Sequence, residues 1–104
     1  MRAVLALCAA SSLEDAEFLG RELVERHLAA CVNIVTGVTS IYRWRGEVEK
    51  NDEVLLVIKT TAERFEALRE AIVKLHSYEL PEVIAVEVKA GHAPYLAWLE
   101  ESVS

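Results

Sequence analysis

Two cysteines, Cys8 and Cys31, and three histidines, His27, His76 and His92, are the candidate soft ligands of this chain. Thiolate and imidazole are the groups that copper and zinc select. None of the five is closely spaced, and no paired CxxC or HExxH occurs, so a structural zinc site lacks support. Cys8 lies in an apolar run and reads as a small buried hydrophobe. Cys31 stands at a helix-to-strand junction, where either packing or thiol and metal chemistry fits. His27 falls on an apolar helical stripe and is expected to be a core or interface side chain; His92, beside Gly91, is expected to be solvated. His76 opens the segment His-Ser-Tyr-Glu-Leu-Pro-Glu, which gathers polar, aromatic and acidic groups in one connection. Its plain alternative is a helix C-cap favoured by the macrodipole.

A second group comprises Ser40, Tyr42, Trp44, Glu47, Glu53 and Lys59. Tyr42 and Trp44 alternate and so share one face of a strand, where aromatics also anchor oligomer contacts. Lys59 within VLLVIKT sets a charge in an otherwise apolar strand, which is costly unless a carboxylate or bound anion meets it. No phosphate-binding loop or nucleophile elbow is present, and strand one carries no aromatic for stacking bases.

The elements that must position these groups follow from periodicity. Arg2 to Ala9 is an almost unbroken apolar run of strand length. Ser11 with Glu14 matches a capping box, and Ala16, Leu19, Gly20, Leu23, Val24, His27 and Leu28 recur at helical steps. Gly20 on that stripe allows close approach to a sheet. Cys31 to Trp44 reads as a strand bent at Gly37, Arg45-Gly46 as a turn, and Glu53 to Thr60 as the returning strand of a long hairpin. Thr60 with Glu63 predicts a second capped helix to about His76, Val83 to Lys89 a fourth strand, and Pro94 to Glu101 a short helix. The order β-α-β-β-α-β-α predicts one α+β domain over residues 1–104, a ferredoxin-like sandwich with both long helices on one face of an antiparallel sheet.

The 104 residues carry a formal charge of −6 and are 53% apolar. Disorder is therefore excluded as the dominant state, and attraction to nucleic acid or anionic lipid is disfavoured. Isolated cysteines and no apolar run of membrane length predict a cytoplasmic, thiol-reduced protein. A fourteen-residue strand spans ~46 Å, against ~26 Å for the eight residues of the first strand, so the hairpin overhangs its sheet. Association with further copies is the economical way to cover it.

Ala30-Cys31-Val32-Asn33, Ser40-Ile41-Tyr42-Arg43-Trp44-Arg45-Gly46, Lys59-Thr60-Thr61, His76-Ser77-Tyr78-Glu79-Leu80-Pro81-Glu82 and Tyr95-Leu96-Ala97-Trp98-Leu99 occur in that order. In these blocks the chain resembles the CutA divalent-cation tolerance family over essentially its whole length. The resemblance implies a PII-like homotrimer built through the long hairpins, a non-enzymatic role in tolerance of copper and other divalent metals, and a pocket between subunits. It carries metal ligation over to Cys8, Cys31 and His76. The family has Pro after the histidine where this chain has Ser77, which removes a backbone restriction on His76. The pocket or interface set is read as Tyr42, Trp44, Glu53, Lys59, Tyr78 and Glu79. Two other readings remain at this point: a PII-like sensor of a small anion, with Lys59 near Glu79 tuning the charge, and an enzyme using Tyr78, Glu79 and Lys59 as acid and base.

Overall fold

The computed structural model describes residues 2–104. β1 (Ala3–Ala10) buries Val4, Ala6, Cys8 and Ala10 on one face, the two-residue period of a strand. α1 (Leu13–Glu25) is capped by Ser12, whose hydroxyl accepts from the Asp15 N–H at 3.1 Å. This cap lies one residue later than Ser11 and Glu14 predict, because the Ser11 hydroxyl instead donates to the Asp15 carboxylate. Ala16, Leu19, Gly20 and Leu23 face the core. A Cβ on Gly20 would meet Val32 Cγ1 at 3.3 Å, so glycine sets the helix-to-sheet distance here. His27 is not on the buried stripe. It is exposed with φ 59°, just past the helix, where Leu28 N–H bonds Leu23 C=O and His27 N–H bonds Val24 C=O. That is a Schellman ending, with histidine at the left-handed position.

β2 (Cys31–Trp44) and β3 (Glu47–Thr61) form the hairpin, turned by Arg45 (φ 51°) and Gly46 (φ 83°), two adjacent left-handed residues as a type I′ loop requires. β3 begins six residues before the expected Glu53. The outer hairpin is exposed on both faces, so Glu47-Val-Glu-Lys-Asn-Asp-Glu53 shows no apolar alternation by which a strand could be read. Gly37 (φ 77°) sits in a register shift between Val35 and Val38. Before the shift odd-numbered β2 residues oppose odd-numbered β3 residues; beyond it Val38, Tyr42 and Trp44 oppose Glu53, Glu49 and Glu47. The bulge therefore turns Tyr42 and Trp44, rather than Ile41 and Arg43, to the face that carries Glu53.

α2 (Ala62–Leu75) follows, then β4 (Ile84–Glu87) and α3 (Ala93–Ser102). Thr60 does not cap α2: it is buried and donates to Leu28 C=O at 2.7 Å, while Thr61 holds the N-cap position. β4 is shorter than Val83 to Lys89, and all four of its residues are exposed at the sheet edge. The sheet runs β2-β3-β1-β4, with every pairing antiparallel. α1 and α2 pack on one face over Ala6, Cys8, Leu56 and Ile58 through Leu19, Leu23, Leu68 and Ile72. α3 anchors through Leu99, with Tyr95 beside Lys59. The molecule measures 44 × 25 × 22 Å, the long axis reflecting the projecting hairpin. No helix among the described residues is long and apolar enough to cross a membrane.

Candidate functional site

Between the outer hairpin and the connection from α2 to β4 lies a cleft of about 580 Å³, within the size range of small-molecule sites. The hairpin contributes Tyr42, Trp44 and Glu53, and the connection contributes Tyr78, Glu79 and Glu82. Tyr78 donates its hydroxyl to Glu53 at 2.6 Å, and Asn51 bonds the Tyr42 hydroxyl. Burial, and then the Glu53 carboxylate beside it, push the Tyr78 phenol well above its ordinary range. At the outer end Arg45 holds Glu79 with one guanidinium nitrogen 3.0 and 3.1 Å from the two carboxylate oxygens. The same guanidinium lies 5.2 Å from the Trp44 ring centre.

Five of the six residues expected in a pocket or interface thus line one cleft. Lys59 does not. It lies six residues along β3 from Glu53, ~20 Å of strand, donates to Asn33 Oδ1 at 2.7 Å and sits 6.0 Å from the Tyr95 ring. The expectation that Lys59 neighbours Glu79 is therefore corrected: the cation at Glu79 is Arg45. In the sequence Arg45 is legible only as a turn former and Glu82 has no evident role, although both stand in the quoted blocks.

The ligand set carried over to Cys8, Cys31 and His76 is not assembled within one chain. Cys8 is wholly buried on the face covered by α1 and α2; burial, with Glu82 and Glu53 adding to it, pushes its thiol up to about 12. Cys31 pairs with Lys59 across β2 and β3, whereas Cys8 pairs with Leu56. Odd and even positions of β3 point to opposite faces, so the sheet separates the two sulfurs. His76 has neither ring nitrogen free. The Tyr78 N–H can only donate, so Nδ1 accepts it at 3.0 Å, and the Ala9 carbonyl can only accept, so Nε2 donates to it at 2.7 Å. The imidazole thus tethers the connection to β1 as an internal splint. Among the described residues no three His, Cys, Asp or Glu side chains are grouped to hold a metal ion. These residues do not fit a resident metal in one chain.

The sequence pattern described as CutA1 divalent ion tolerance protein matches residues 4–102. The chain belongs to this family. It is 50% identical over 91 residues to "Divalent-cation tolerance protein CutA" of Thermus thermophilus, covering 88% of each chain. It is 46% identical over 92 residues to human "Protein CutA", spanning 86% of this chain and 51% of that relative. Among solved structures, the Thermus thermophilus divalent cation tolerance protein superposes with a TM-score of 0.95 at 45% identity, covering 98% of this chain and 99% of that one. CutA1 from Oryza sativa gives 0.97 at 38% identity over 100% and 95% of the two chains. A role in metal tolerance is thus supported at the level of the CutA1 family.

Proposed function

We propose that this CutA1 chain is a non-enzymatic, cytoplasmic homotrimer of ferredoxin-like, PII-like subunits. In this reading it serves tolerance of copper and other divalent metals by binding a small ligand or metal in the cleft, near a subunit interface. The single observation that carries the reading is the convergence of Tyr42, Trp44, Glu53, Tyr78 and Glu79 from two distant segments on one cavity. A binding role agrees with the chemistry of the site, because the Tyr78 phenol holds its proton more tightly than usual and supplies no anionic nucleophile at neutral pH. The strand order β2-β3-β1-β4 supports the ferredoxin-like subunit. Support for the trimer comes from the outer hairpin, where Ile41 and Val48 are 71% and 67% exposed, and from the β4 edge, where Ile84 and Val86 are each 55% exposed.

Light scattering at micromolar concentration, followed by native mass spectrometry of the purified protein, tests this. The expected result is three times 11.6 kDa with a co-purifying ligand or metal in the mass spectrum. A stable monomer without bound species would overturn the assembly and the site together.

A further inference from the structure

The cleft is acidic and aromatic at once, and its charges are unevenly matched. Glu53, Glu79 and Glu82 line it, while the register sets the Arg43 side chain on the opposite hairpin face with Val48. Glu79 is already paired with Arg45, whereas among the described residues no Lys, Arg or His nitrogen forms an ion pair with Glu53 or Glu82. Glu53, six residues inward of Glu47 on β3, and Glu82 on the connection both line the cleft. Tyr42 and Tyr78 supply aromatic walls beside them, with Ala9 and Leu80 as apolar surface. An anion would enter against uncompensated negative charge. A hydrated inorganic cation would find the carboxylates but no use for the aromatic faces.

A cation bearing an apolar or aromatic body satisfies both features, since aromatic rings attract cations through their faces. The protein displays this recognition on itself: Arg45 places its guanidinium between the Trp44 ring and the Glu79 carboxylate at the outer end. We infer that the inner end of the cleft binds an organic ammonium or amidinium ion, the charge at Glu53 and Glu82 and the body against Tyr42 and Tyr78. The inference rests on the cleft being a ligand site, as proposed above, and names its ligand class.

The probe is benzylammonium, with benzoate and Mg²⁺ as comparison ligands, titrated into the full-length protein by calorimetry and by Trp44 fluorescence in a Trp98→Phe background. Saturable benzylammonium binding is expected, weakened at least about tenfold in Glu53→Gln/Glu82→Gln, with benzoate silent. The amide oxygen that Glu53→Gln introduces still accepts the Tyr78 hydroxyl, and an unchanged melting temperature of the double variant shows that the fold is retained. Saturable benzoate binding strengthened by the double substitution would overturn the cationic assignment while leaving the cleft as a ligand site. Mg²⁺ binding that displaces benzylammonium would overturn it in favour of a hard metal ion. No saturable binding of any of the three would overturn the ligand-site reading as well.

Discussion

His76 and Cys8 show how a residue type suited to metal can be committed to structure. Each His76 ring nitrogen serves a backbone group, one on β1 and one on its own connection. His76→Ala is expected to destabilise the fold by about 1–3 kcal/mol, the cost of leaving polar groups without partners, measured by chemical denaturation. An unaltered midpoint would show that the splint is unimportant. For Cys8 the pH dependence has a definite sign. The thiol titrates near 9.0 when unfolded and near 12 when folded, so above pH 9 the unfolded chain releases a proton that the folded chain retains. Stability is accordingly full below pH 9 and falls as pH rises toward 12, by up to about 4 kcal/mol for a shift of this size. Cys8→Ala should flatten the alkaline limb of a stability-against-pH curve relative to the parent protein, and equal slopes in the two proteins would refute the assignment. Residue types alone named Tyr42, Trp44, Glu53, Tyr78 and Glu79 as candidates. They could not reveal that Lys59 is bound to Asn33 and leaves Glu79 to Arg45, because strand neighbours depend on pairing between segments.

At the scale of elements, helices and inner strands were legible because each buries one face, whereas the outer hairpin was only partly so. Glu47 to Asp52 form strand with both faces in solvent, held by pairing with β2 and by the Arg45-Gly46 turn rather than by a core. Register in such a segment is fixed at its turn and bulge. Gly37 is the device that brings Tyr42 and Trp44 to the side of Glu53, and its φ of 77° is the reason for glycine, since an added Cβ would meet nothing within 4 Å. Gly37→Val is expected to cost about 1–2 kcal/mol through the left-handed backbone alone, read from thermal or denaturant melts. The same substitution should weaken ligand binding in the cleft if the bulge relaxes toward regular pairing. A variant as stable as the parent, with an unchanged site, would show that the bulge tolerates a side chain.

The whole molecule is longer than its core can support, and this excess connects its shape with its proposed assembly. Ile41 and Val48 lie diagonally on one hairpin face, through the pairs Ile41–Lys50 and Arg43–Val48, and are exposed in a single chain. Val48→Asp is expected to shift light-scattering mass toward the monomer, with far-ultraviolet circular dichroism unchanged, because association would then have to take a carboxylate out of water. A trimer of undiminished stability would place that face in solvent. By itself the sequence determined the element order and the hairpin; the family was legible in five ordered blocks of residues, and Tyr42, Trp44, Glu53, Tyr78 and Glu79 in their residue types. The elements and the hairpin follow from local signals: apolar period, turn glycines and caps that act over a few residues. Only the tertiary structure decided that Cys8 and Cys31 lie on opposite faces of the sheet, that His76 has no free nitrogen, and that Glu53 and Glu82, in no ion pair among the described residues, share a cavity with three aromatic rings. Strand register and the packing of one long connection against a hairpin set those relations, and both arise from contacts between residues far apart in the chain.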